Sequence, residues 1–132
     1  MLNQKKRNLN KKSYKQILTY DEKIGFKYVK NLNTTLIGDI DDEMEDYKIV
    51  TDNYGFRNDF DKNLNPVTFE NLFLGCSFVA GDCVENKDRF SDLTNKNSYN
   101  AAIQATCMYQ QCIAGIECSD YIKTKKIFFM PF

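Results

Sequence analysis

The sequence contains no histidine and no tryptophan. The first absence removes the side chain most often used as a general base near neutral pH, and with it every His-containing zinc site. The five cysteines, Cys76, Cys83, Cys107, Cys112 and Cys118, include no CxxC pair, and the C-x4-C-x5-C spacing does not set three thiolates on one helical face. No metal site and no organic cofactor are expected. Net charge is lacking too: 18 basic and 18 acidic residues cancel, which leaves no overall field to steer the chain to nucleic acid or acidic lipid. No run is long and apolar enough to cross a bilayer. The start MLNQKKRNLNKKSYKQ has a basic flank with no apolar segment behind it, so it does not read as a secretory signal. A cytoplasmic location and reduced thiols are the resulting expectations.

What is present fits one folded domain. Of the 132 residues 42% are hydrophobic and 14% aromatic, enough for a core. The charges are segregated: Lys5, Lys6, Arg7, Lys11, Lys12 and Lys15 stand at the start, and acids crowd Asp39 to Asp61. A basic run of this kind commonly means a solvated tail, and no nucleic-acid partner is expected. Residues 1–18 read as a mobile basic arm with a short helical turn at Tyr14 to Leu18. Residues 19–68, with short apolar clusters between Asn, Asp and Gly, read as an extended lead-in. The acidic DIDDEMED, Asp39 to Asp46, lacks the glycine and terminal Glu of a calcium loop and reads as a surface loop.

From Phe69 the pattern changes. FENLFLG is a short continuous apolar run ending in glycine, as in a strand buried on both faces. Glu85 to Leu93 predicts a short helix and Ser98 to Ala102 a second strand. Thr106 to Tyr121 predicts a longer helix with Met108, Cys112 and Ile116 as its apolar stripe. Lys123 to Lys126 predicts a polar turn and KIFFMPF a third buried strand. Residues 69–132 thus form an α/β pattern with a parallel sheet, whose ligand sites lie at the C-terminal strand ends. Ser77 falls just past the end of the first strand, where Gly75 permits a sharp exit and Gly81 relieves the loop. That place suits a nucleophile, although serine is also an ordinary turn and cap residue.

GCSFVAGDCVENKDRFSDL, Gly75 to Leu93, resembles the first block of the SGNH (GDSL-like) hydrolases. DEKIGFKYVKN and TDNYGFRND resemble lead-in segments of one branch of that family, and SYNAAIQATCMYQQ, Ser98 to Gln111, resembles its second block with a paired glutamine. The order of these segments carries the likeness. The resemblance implies a flavodoxin-like three-layer α/β/α fold, here truncated and preceded by the lead-in, and a serine esterase acting through an acyl-enzyme. It implies Ser77 as nucleophile and oxyanion amide, Ala105 as the second oxyanion amide where the family has Gly, and Asn100 as structural support. The substrate class implied is a small-molecule ester or an acylated glycan. Cys76 stands where the family has Asp. The third-block asparagine and the late Asp-x-x-His pair have no counterpart, so as written the chain is an incomplete or inactive hydrolase.

Two other readings compete. One is a non-catalytic domain of the same fold that binds a ligand or protein partner, with a homo-oligomer formed through an exposed sheet edge. The other is a redox pair of Cys76 and Cys83. Three further expectations concern charges and aromatics. Arg57 is expected in a surface ion pair with Asp59 and Asp61, Glu117 and Asp120 as solvated helix charges, and Phe128, Phe129 and Phe132 in core or interface.

Overall fold

The structure is a computed structural model that describes residues 11–37, 45–59, 67–94 and 97–130. Five short strands come first: β1 (Lys11–Lys12), β2 (Leu18–Asp21), β3 (Gly25–Tyr28), β4 (Asn33–Leu36) and β5 (Tyr47–Val50). β2 and β3 form an antiparallel hairpin, and β1, β4 and β5 a small mixed sheet. The hairpin turn is fixed by Asp21, whose Oδ1 accepts the amides of Lys23 and Ile24 at 3.0 and 2.9 Å. Residues 11–18, expected in a mobile arm, are built into the fold: β1 pairs with β4, and Ile17, in a 3-10 turn, is fully buried. Residues 1–10 and most of the acidic DIDDEMED segment lie outside the described residues.

The second half carries β6 (Val67–Gly75), α1 (Ser77–Ala80), α2 (Phe90–Leu93), β7 (Ser98–Asn100), α3 (Met108–Cys118) and β8 (Ile122–Met130). β6, β7 and β8 make a parallel sheet in the order β7-β6-β8. The chain is therefore a mixed α/β protein with a three-stranded parallel sheet. β6 is central because both its faces are apolar. Leu74 meets α3 on one face, where a Cβ on Gly115 would come within 2.8 Å of Leu74 Cδ1. The next side chain, Phe73, meets Phe90 of α2 on the other, with ring centroids 5.3 Å apart. Successive strand residues point to opposite faces, so α2 and α3 lie on opposite sides of the sheet. This is the arrangement that right-handed crossovers dictate when one connection steps outward and the next returns across the first strand.

The lead-in shares the core of the sheet. Ile17, Ile24, Tyr28, Leu36, Ile49 and Phe56 join Leu72, Leu74, Tyr99 and Ala114 in one cluster. An ion pair reinforces the contact: buried Lys27 of β3 meets Glu117 of α3 and lies 3.3 Å from Asp21. Glu117, expected as a solvated helix charge, is thus a tie between hairpin and helix. Tyr54 stacks on Tyr121 at 3.6 Å.

Several expectations about elements are corrected. The segment Glu85 to Leu93 is a 3-10 turn (Asn86–Asp88) followed by α2, interrupted because Arg89 has an extended backbone and a buried side chain. α3 buries Gln111, Ala114 and Cys118 rather than the stripe of Met108, Cys112 and Ile116, which faces solvent. Small residues at the contact let the helix lie close over Leu74. Lys123 to Lys126 is strand, in register with Thr68 to Asn71. The second half of the same strand is formed but only partly buried: β8 pairs with β6 along one edge only, and Ile127 to Met130 stay exposed.

Candidate active site

The site is built at the C-terminal ends of β6 and β7. At Gly75 the chain passes so close to its surroundings that a Cβ would lie 2.4 Å from Val79 Cγ2 and 2.9 Å from the Met130 carbonyl. Its amide donates to Gln111 Oε1 at 2.9 Å, which ties the strand end to α3. Cys76 caps α1 with extended backbone and makes no side-chain cap bond. An aspartate there would accept an orphan amide of the helix, a bond that the Cys76 thiol does not make. Ser77 opens the helix, half-buried, and among the described residues its hydroxyl has no hydrogen-bond partner. Gly81 ends the helix at φ +75, in the left-handed region, where a Cβ would meet Arg89 Cγ at 2.3 Å.

The second loop follows β7. Ala105 sits at φ +59, a conformation that L-residues adopt at a cost and that favours glycine. Its residue is exposed, and its amide has no partner among the described residues. Its neighbours hold the turn. Thr106 Oγ1 donates to the Ile103 carbonyl at 2.5 Å, and Gln111 Nε2 donates to Thr106 Oγ1. Gln104 Nε2 donates to Asp82 Oδ2 at 2.6 Å, and the Gln104 amide reaches the Tyr28 hydroxyl at 3.3 Å. Asp82 lies just past α1, its amide on the Ser77 carbonyl at 3.0 Å. The Asp82 to Gln104 bond therefore spans the two loops. Asp82 also accepts from Tyr47 at 3.0 Å. Burial first, then the neighbouring Asp82 carboxylate, hold the Tyr47 hydroxyl far above the usual phenol range.

Arg57 is the largest departure from expectation. Instead of a surface ion pair, its buried guanidinium donates to the carbonyls of Ala80, Gly81 and Val84 at 2.9, 2.6 and 2.7 Å and to Asn86 Oδ1. It gathers the end of α1 and the loop behind it. The adjacent Asn58 pairs with both backbone groups of Asn100, at 3.0 and 3.1 Å, as a neighbouring strand would. Asn100 in turn donates to the Val79 carbonyl at 2.7 Å and to Ser91 Oγ at 2.9 Å, a structural role. Asp52 completes the cluster by accepting from Tyr99, Asn58 and the amides of Tyr54 and Phe56. The GFR tripeptide was a signal in the sequence; that its arginine collects carbonyls rather than carboxylates was not.

Beside Ser77, at the ends of β6 and β8, lies a shallow depression lined by Gly75, Cys76, Thr106, Cys107, Gln111 and Met130 among others. Ser77 itself is not in the lining. All five cysteines are free thiols, and Cys76 and Cys83 are not joined by a disulfide. Burial pushes the Cys118 thiol up to about 12, so it is inert packing. Among the described residues no group of three metal-ligating side chains occurs.

Comparison with family models, with curated proteins and with solved structures gives no match to this chain. The site therefore rests on geometry. It brings Ser77, Gly75, Cys76 and Gly81 together at one strand end and sets Ala105 on the adjoining loop, held to it through Asp82 and Gln104. It supplies no base: the chain has no histidine, and no described carboxylate or amine bonds to the Ser77 hydroxyl.

Proposed function

We propose that Ser77 is the nucleophile of an ester-hydrolysing site of the SGNH type, whose general base comes from outside these 132 residues. The observation that carries the reading is the Ser77 hydroxyl at the end of the central parallel strand, which like the Ala105 amide on the adjoining loop has no hydrogen-bond partner among the described residues. The order β7-β6-β8 is the second-first-third order with which a flavodoxin-like sheet begins, and this supports the three-layer fold. In the reaction Ser77 Oγ attacks the ester carbonyl, and the Ser77 and Ala105 amides stabilise the resulting oxyanion. Collapse expels the alcohol, and water releases the acid from the acyl-serine. The proton of Ser77 needs an acceptor at the first step. In a serine protease, loss of the histidine alone costs about a millionfold in kcat, so these 132 residues by themselves turn over slowly. The substrate is a small-molecule ester or an acylated glycan, and free thiols support a cytoplasmic setting.

The test is labelling by a fluorophosphonate, read by intact mass and peptide mapping. A single adduct on Ser77, absent in Ser77→Ala, is expected, and exogenous imidazole accelerates it by supplying a base. An adduct that persists in Ser77→Ala overturns the assignment. A second reading, a non-catalytic binding domain, is favoured by Cys76 at the cap of α1 and by the missing base. Absence of any adduct on Ser77, with imidazole present, decides for it.

A further inference from the structure

We propose that β8 is the interface of a homodimer, in which two copies pair their β8 strands antiparallel and join two three-stranded sheets into one. β8 is the outer strand of the sheet and among the described residues has no neighbour on its far edge. A nine-residue strand presents an edge of about 30 Å with unpaired backbone groups. Natural sheets usually blunt such an edge. Here it is flanked by apolar side chains on both faces: Ile127, Phe128, Phe129 and Met130 are 63%, 42%, 36% and 38% exposed. On the α3 face the patch continues into Met108, which lines the same depression as Phe129. On the other face it continues through the stack of Phe128 on Phe73, at 5.0 Å, to Phe90.

The charge layout of the strand selects the occupant. Lysines 123, 125 and 126 fill the first half of β8, and the second half is wholly apolar. A parallel copy in register would set each lysine against itself. A two-fold axis perpendicular to the sheet makes the strands antiparallel and keeps each face on one side. With the axis at Ile127, Lys125 falls opposite the second copy's Phe129, Lys126 opposite its Phe128 and Thr124 opposite its Met130. No lysine meets a lysine, whereas centring on Lys126 would oppose two ammonium groups. In the Ile127 register the Lys126 stem covers the ring of the second copy's Phe128 while its head reaches water. Lys125 is already neutralised by Glu70 at 2.6 Å. The strand is thus self-complementary, as a two-fold interface requires.

The inference does not draw on the chemistry of Ser77, and Ser77→Ala leaves the dimer intact. It is tested by sedimentation velocity of the full chain at micromolar concentration, with hydrogen exchange of the β8 amides. The expected result is a dimer with slowed exchange over Thr124 to Met130. Ile127→Lys sets two charges face to face and yields a monomer with unchanged far-UV circular dichroism, because Ile127 is exposed within each copy. A wild-type chain that is monomeric throughout overturns the proposal and leaves the edge to a strand of another chain. A dimer that survives Ile127→Lys with β8 exchanging freely overturns it as well.

Discussion

At the scale of single residues, the two loops of the site are set by positions where only certain side chains fit. Gly81 combines a left-handed backbone with the Arg89 side chain where a Cβ would stand. Gly81→Ala is expected to cost about 2 kcal/mol or more, read as a lower urea midpoint. Ala105 is the converse case. Its left-handed conformation costs roughly 1–2 kcal/mol for an L-residue, against roughly 0.4–1 kcal/mol of extra chain entropy that glycine loses on folding. Ala105→Gly is therefore expected to stabilise by about 0.5 kcal/mol in the same assay, and the backbone amide survives the change. Arg57→Lys tests the carbonyl clamp. A lysine cannot serve carbonyls of Ala80, Gly81 and Val84 together, and buried acceptors left unpaired cost roughly 1–3 kcal/mol each. A loss of about 3 kcal/mol is expected, and a loss below about 0.5 kcal/mol would place Arg57 outside the support of α1. The sequence exposed the glycines because their spacing matched a strand exit. It could not expose the Arg57 contacts, because nearby Asp59 offered a simpler partner and the carbonyls it serves lie more than twenty residues away in sequence.

At the scale of elements, what was legible was the strand whose character depends only on itself. FENLFLG is apolar on both faces and became the central strand, and the place of Ser77 followed from where it ends. α3 shows the limit. Its sequence holds two stripes at helical spacing, Met108-Cys112-Ile116 and Gln111-Ala114-Cys118, and hydrophobicity favours the first. Close approach to Leu74 favours the second, because alanine and glycine let the helix approach the sheet and Gln111 satisfies itself on Gly75 and Thr106. The hairpin is joined to α3 by Lys27, an interaction that no local pattern reveals. Removing Lys27 alone leaves Glu117 in a partly buried place without its counter-charge, and breaking such a pair costs about 3 kcal/mol. Lys27→Met is expected to show that loss in urea unfolding, and the double change with Glu117→Gln to recover most of it. Asp21, which also meets Lys27, adds a pH dependence of its own. Burial raises its carboxyl, but the amide of Ile24, the Lys27 charge and the amide of Lys23 outweigh this and hold it below the ordinary 3.8. A depressed carboxyl contributes stability that is present above its unfolded value and lost as the pH falls through its folded one. Acid unfolding below about pH 3.8 should accordingly become less steep in Asp21→Asn.

At the scale of the whole molecule, β8 explains why burial was less legible than secondary structure. KIFFMPF has the composition of a core strand, and composition reports what a segment would bury, not whether a neighbour is present to bury it. The same apolar half that suggested a buried strand is what a second copy would cover. A dimer changes the thermodynamics of the molecule in a measurable way, because unfolding then releases two chains and mass action ties stability to concentration. Each tenfold rise in protein adds about 1.4 kcal/mol per dimer, and two 132-residue chains carry an unfolding entropy of roughly 0.55 kcal/mol/K at about 2.1 cal/mol/K per residue. The midpoint of thermal unfolding should therefore rise by about 2–3 °C for each tenfold increase, and that of Ile127→Lys should not move. A wild-type midpoint independent of concentration would mean that the sheet edge stays open while the chain is folded, and that its apolar face is held in reserve for something other than a second copy.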